Sequence, residues 1–120
     1  MWICLNDSFV SIVEDTRNPD QYLVRGRRLT DVINFIKPLV VGVPPAIVST
    51  PRSDYHFRCT VSKEELQKCM MATIDKIDYP NFKDSVADVE LERFYMETWV
   101  AGVRNLDPDW EDRVSNSYKL

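Results

Sequence analysis

Apolar positions change period along this chain, alternating singly in the first half and recurring every three to four residues in the second. Trp2-Ile3-Cys4-Leu5 and Phe9-Val10-Ser11-Ile12-Val13 are β-rich runs on either side of Asn6-Asp7-Ser8, whose short polar side chains suit a turn. That arrangement predicts a hairpin. A second polar stretch, residues 15–21, leads into a strand over residues 22–27. Alternation there sets Leu23, Arg25 and Arg27 on one side and Tyr22, Val24 and Gly26 on the other. Thr30 is placed to cap a short helix over residues 31–36, which Pro38 stops. Pro44, Pro45 and Pro51 restrict residues 38–53 to short edge-strand pieces. Residues 54–60 alternate Tyr55, Phe57 and Cys59 with His56 and Arg58 and predict a further strand. Arg58 joins the other arginines if this strand neighbours residues 22–27.

The second half is helical. Ser62-Lys63-Glu64-Glu65 is a capping box, and Val61 and Leu66 occupy the two positions of a hydrophobic staple. Leu66, Cys69, Met70, Thr73, Ile74 and Ile77 follow at helical spacing until Pro80 disfavours a helical Tyr79. The Cys69-Met70-Met71 run reads as core packing rather than as a ligand site. A second helix runs from near Asp88 to about Arg104, with Leu91, Phe94, Tyr95, Thr98, Trp99 and Val103 as its apolar stripe. The expected fold is α+β: an N-terminal antiparallel β-sheet with a short helix, followed by two C-terminal helices packed on it. Residues 1–104 form a single domain in this reading, and residues 105–120, anchored by Trp110, form a partly ordered tail.

Composition narrows the chemistry. At 120 residues the chain is long enough for one core without staples. Its longest apolar stretch, residues 39–48, is short and carries two prolines, so no membrane span is expected. No basic region precedes an apolar run at the N-terminus, which predicts a cytoplasmic protein without a signal peptide. The Asn6-Asp7-Ser8 acceptor sequence is then a turn, not a glycosylation site. Cys4, Cys59 and Cys69 are odd in number and far apart, and read as small buried hydrophobes in a reducing compartment. With His56 the only histidine, a zinc site or a Ser-His-Asp triad has almost nothing to build on. Three glycines, Gly26, Gly42 and Gly102, make no phosphate loop.

Charge is unevenly placed. The chain carries a formal −4, yet residues 17–58 hold seven basic residues against three acids. Arg25, Arg27 and Arg28 flank Gly26 where a strand gives way to a helix N-terminus, a setting that favours anions. A basic segment within an acidic chain points to a small anion and away from duplex nucleic acid, because overall repulsion opposes a long polyanion. The competing reading has these arginines solvating a strand face or pairing with acids of the C-terminal half.

Between the two long helices, Tyr79-Pro80-Asn81-Phe82-Lys83-Asp84-Ser85-Val86 gathers groups that suit a nucleotide. Phe82 could stack on a base, Asn81 bond a base edge or ribose, and Lys83 neutralise phosphate. Alternatively, Phe82 closes the gap between helices while Asp84 or Ser85 caps the second. Glu90, Glu92 and Glu97 among Arg93 and Arg104 read as a solvated helix face rather than as an acid/base pair. No residue is assigned to catalysis or to a metal, and no cofactor is called for; a metal-dependent nucleotide hydrolase would draw on Asp84, Asp88 or Glu92.

Ordered blocks over roughly residues 1–100 resemble the phage Thoeris anti-defence sponge family: residues 1–13, Leu23-Val24-Arg25-Gly26-Arg27-Arg28, Asp54-Tyr55-His56-Phe57-Arg58 and residues 77–86. The resemblance implies a catalytically inert protein of the host bacterial cytoplasm. Such proteins sequester cyclic ADP-ribose isomers made by TIR-domain enzymes and so silence Thoeris immunity. It implies a homodimer or a dimer-based hexamer that binds its signal at subunit interfaces. In some members a second site holds cyclic di- or trinucleotides, which extends suppression to CBASS-type immunity. Carried onto this chain, Phe82 and Asn81 become the adenine and ribose contacts, with Lys83 beside them. Arg27 and Arg28 take phosphate, and Arg58 makes a further phosphate contact at the second site. Three departures stand out: Gly26 where the family pattern has alanine, a long proline-rich insertion near residues 38–52, and divergence after Arg104. A module that blocks a host defence enzyme through its acidic helical face is the alternative.

Overall fold

The computed structural model describes residues 1–117. Five strands form one antiparallel sheet: β1 (Trp2–Cys4), β2 (Phe9–Glu14), β3 (Gln21–Gly26), β4 (Val48–Ser49) and β5 (Phe57–Ser62), in the spatial order β1-β2-β3-β5-β4. Helix α1 (Leu29–Ile36) connects β3 to a single 3₁₀ turn, and α2 (Lys63–Asp75), α3 (Val89–Leu106) and α4 (Trp110–Ser117) follow β5. The fold is α+β, as the switch in period predicts.

Pleating decides what the sheet buries. Val10, Ile12, Val24, Cys59 and Val61 turn to one face and meet Val32, Phe35 and Ile36 of α1 and Cys69 of α2 in the main core. A smaller cluster of Phe9, Val86, Leu91 and Tyr95 joins α3 to the start of β2, with Phe82 packed against it. The Tyr95 hydroxyl lies 2.7 Å from the Leu5 carbonyl and 2.9 Å from that of Ser8, sharing its proton between both ends of the hairpin turn. Burial pushes the Tyr95 phenol above its ordinary pKa.

Several boundaries differ from the sequence expectations. Helix α1 begins two residues early, at Leu29, with Arg28 in the N-cap position, so Thr30 caps nothing. Asp31 is the reason: its carboxylate turns back to Arg28 and to the backbone of Phe9. The capping box of α2 is present in full, Glu65 N–H donating to Ser62 Oγ and Ser62 N–H to Glu65 Oε1. Asp88, not Asp84 or Ser85, caps α3 by accepting from Glu90 N–H and Leu91 N–H. Cys59 and Cys69 are buried but Cys4 is exposed, a correction for the first cysteine, which sits on an edge strand. The segment after Arg104 is more regular than a tail: α3 continues to Leu106, and α4 follows with Trp110 edge-on to Trp99 at 5.6 Å. The last three residues of that segment lie outside the described residues.

Gly26 has a steric cause. A Cβ there would lie 2.8 Å from Cγ2 of Val32 and 3.2 Å from the Arg28 carbonyl, so the end of β3 approaches α1 more closely than alanine allows. Because α1 comes this close, the arginines that follow emerge at a junction of sheet, α1 and α3.

Only Leu91 and Tyr95 of α3 are buried, both in its first two turns. An 18-residue helix is about 27 Å long. Its second half therefore projects, and the radius of gyration is 17.5 Å where a compact chain of this length has about 14 Å.

Candidate functional site

Strand β3 delivers Arg25 to the face of the sheet opposite the core. Cross-strand register lines up Trp2, Ser11, Arg25, Arg58 and Val48 in one row across all five strands. Arg25 Nη2 donates to Ser11 Oγ at 2.7 Å, and its guanidinium lies 4.6 Å from the centre of the Tyr55 ring. Arg27 stacks on the same ring at 4.9 Å and donates to the Asp54 carbonyl at 3.0 Å. Tyr55, only 3% exposed, is thus a fixed platform for two cations. Their common direction follows the predicted alternation.

Arg58 stands directly opposite Arg25, and like charges in that position repel unless an anion or solvent intervenes. Its Nε donates to Thr50 Oγ1 at 3.2 Å and its Nη2 to Ser53 Oγ. Among the described residues, no carboxylate forms a salt bridge with Arg25, Arg27 or Arg58. The Nε of Arg25 is buried without a hydrogen-bond partner, an unusual condition for a cationic group.

Arg28 is arranged differently. Its Nε donates to Asp31 Oδ2 at 2.9 Å and its Nη2 to Asp31 Oδ1 at 2.7 Å, a bidentate fork against a carboxylate 2% exposed. Its Nη1 reaches Asp88 Oδ2 at 2.9 Å and Glu90 Oε1 at 3.4 Å. Pairing with acids of the C-terminal half therefore occurs at this arginine. The hydrogen bonds that Arg28 donates to Asp31 raise the Arg28 pKa despite partial desolvation. For Asp88, desolvation pushes upward, but hydrogen bonds from Leu91 N–H, Arg28 and Glu90 N–H together hold the carboxyl below its ordinary value.

A cleft of about 230 Å³ opens beside this junction, lined by Phe9, Arg27, Arg28, Asp31, Glu90, Leu91 and Phe94. Phe9, Leu91 and Phe94 give it an apolar lining beside the two arginines. Arg58 is not part of it; it borders an open depression with Thr50, Pro51, Arg52 and Ser53.

The connector lies elsewhere. Asn81 Oδ1 accepts from Asp84 N–H at 3.2 Å, and Lys83 Nζ sits 4.6 Å from the centre of the Trp99 ring. The Phe82 ring is 5.2 Å from Tyr95 and 6.1 Å from Tyr79, half-buried against the smaller core cluster. Phe82 thus fills the gap beside α3. Asn81, Phe82 and Lys83 are absent from the lining of the arginine cleft, so one copy of the chain does not bring all six sequence-predicted residues to one place.

Sequence reasoning missed Tyr55, Asp31, Glu90 and Phe94 as site components, whereas the expected approach of Arg58 to the arginines of residues 22–27 is met by the pairing of β5 with β3. Asp31 had a readable signal, since it follows Arg28 by three residues across a helix start. Tyr55 and Phe94 had none, because their neighbours come from distant strands and helices. Among the described residues, no three His, Cys, Asp or Glu side chains gather so as to hold a metal ion. No helix among them is long and apolar enough to cross a membrane.

Comparison with known proteins found no family model, no curated protein and no solved structure that matches the chain.

Proposed function

We propose that this chain is a non-catalytic sponge of the host bacterial cytoplasm that binds cyclic ADP-ribose signals, and cyclic di- or trinucleotides at a second site, without cleaving them. The observation that carries the reading is the trio Arg25, Arg27 and Arg58. These cations sit on or beside one sheet face; among the described residues no carboxylate forms a salt bridge with them, and the Nε of Arg25 is buried and unpaired. Arginines without a carboxylate partner favour phosphate oxygens.

A cleft of about 230 Å³ falls below the roughly 300–1,000 Å³ that encloses a drug-sized ligand. A homodimer, or a hexamer built from dimers, supplies the missing wall: the cleft with Arg27 and Arg28 from one copy faces Asn81, Phe82 and Lys83 of another. In that arrangement Phe82 contacts adenine, Asn81 a ribose and the arginines the pyrophosphate, while Arg58 with Arg25 serves the second site. The resemblance of the sequence blocks to the Thoeris anti-defence sponges points the same way, towards suppression of Thoeris and CBASS-type immunity.

A protein-binding inhibitor of a host defence enzyme is the second reading, and the projecting half of α3 favours it. Trp99, Val100 and Leu106 are all exposed there. A hydrolase using Asp88 has less to recommend it, since that carboxylate is engaged by Arg28 and by the amides that start α3.

Calorimetric titration with cyclic ADP-ribose isomers, followed by denaturation and recovery of the ligand, separates these readings. Tight binding with intact ligand recovered is the expected result. Recovery of hydrolysed product would make the protein an enzyme, and co-purification of a host protein with indifference to every nucleotide would favour the interaction module.

A further inference from the structure

We infer that Asp88 and Glu90 are built-in competitors for the outer edge of Arg28, which a phosphate must displace to be held there; this rests on the reading of Arg28 as a phosphate contact. The guanidinium has two unlike edges. Its Nε–Nη2 edge is locked to Asp31, whose side chain is 3% exposed and whose Oδ1 also accepts from Phe9 N–H at 3.2 Å. Its Nη1 edge meets Asp88 and Glu90, whose side chains are 33% and 78% exposed. The inner carboxylate is held from two sides and the outer ones are open to water, so exchange takes place on the outer edge.

Glu90 also lines the cleft beside Arg28. It therefore repels any anion entering that cleft, at a contact of 3.4 Å that is the longest of the set. Asp88 is a stronger competitor at 2.9 Å, and it keeps a second occupation when displaced, because its Oδ1 accepts the two amides at the start of α3. Ligand exchange at Nη1 thus leaves the α3 cap in place. The consequence is selectivity: a weak single anion does not outbid two carboxylates, whereas a pyrophosphate anchored elsewhere by Arg27 and an aromatic contact does. Asp31 acts as a positioning residue, fixing the fork so that Nη1 faces outward.

The test uses the full chain and cyclic ADP-ribose as the probe, read by calorimetry with thermal midpoints recorded for each variant. The double variant Glu90→Gln with Asp88→Asn removes both competing charges while asparagine retains capping ability. It is expected to bind roughly tenfold more tightly than wild type, and to acquire measurable affinity for inorganic pyrophosphate. Unchanged or weaker binding overturns the inference. A second double variant, Arg28→Gln with Asp31→Asn, removes both charges of the buried pair together and is expected to lose binding. If it does so while the first variant is unaltered, the competition is refuted but the phosphate role of Arg28 stands. If it binds like wild type, that role and the inference fall together. Should wild type give no heat, binding by the first double variant alone supports the inference, and silence from both overturns it.

Discussion

Arg28 and Asp31 form a two-pronged ion pair, Nε to Oδ2 at 2.9 Å and Nη2 to Oδ1 at 2.7 Å, and through it β2, α1 and α3 are tied at one point. The Phe9 amide of β2 donates to the same carboxylate, and Asp88 at the head of α3 accepts from the same guanidinium. Asp31→Ala leaves a buried cation edge and a buried amide unpaired, so it is expected to lose about 3–5 kcal/mol of folding stability. Urea denaturation measures this. Asp31→Asn, which preserves an acceptor for Phe9, should lose less.

Gly26→Ala tests the close approach of β3 to α1. The added methyl meets Val32, which is fully buried, and overpacking of this kind costs about 1–3 kcal/mol. Combining it with Val32→Ala should recover part of the loss in the same denaturation experiment. Additive losses would show that the contact is not the cause.

Acid sensitivity follows from carboxyls held below their ordinary pKa. Asp15 is lowered by hydrogen bonds from Asn18 and the Arg17 amide, and Asp88 by those from Leu91, Arg28 and Glu90 acting against desolvation. Because the folded-state values are the lower ones, their stabilisation is complete above the unfolded carboxyl pKa of about 3.9 and is lost as pH falls below it. Thermal midpoints taken from pH 6 to pH 2.5 (about the range in which carboxyls titrate) should fall steeply at the acid end. Asp88→Asn should flatten that limb.

Thiol reactivity should sort the cysteines. Burial pushes Cys59 up to about 12 and Cys69 up to about 11; desolvation also raises Cys4, but that residue is exposed and within reach of a reagent. A thiol-specific chromogenic reagent near neutral pH is expected to modify Cys4 in the native protein and all three after denaturation. Fast native reaction at Cys59 would contradict the core described above.

Phe82→Ala separates packing from recognition. The ring contacts Tyr95 and Tyr79, so truncation should cost about 3 kcal/mol of stability as well as nucleotide binding. Phe82→Leu retains apolar volume without an aromatic face and should keep the fold while weakening binding. Equal ligand affinity in Phe82→Leu and wild type would confine Phe82 to the core.

Local signals made much of the fold legible. The capping box at Ser62 and Glu65, the prolines that limit residues 38–53 and the alternation through Arg25 and Arg27 all act within a few residues, where sequence spacing and spatial spacing coincide. The start of α1 was misjudged because a long-range tie overrode a capping preference: Asp31 serves Phe9 and Arg28 before it serves its own helix. The candidate site was legible only in its parts. Arg58 opposite Arg25 depends on strand register, and the separation of Phe82 from the Arg28 cleft depends on how α3 meets β2, neither of which is written in local pattern.

Native mass spectrometry of the full chain with cyclic ADP-ribose isomers tests the central claim most directly, because it reports assembly, stoichiometry and the identity of what is held. The account predicts a dimer or hexamer retaining intact cyclic ligand. A monomer that retains none of the isomers, or an assembly carrying only linear ADP-ribose, would contradict it.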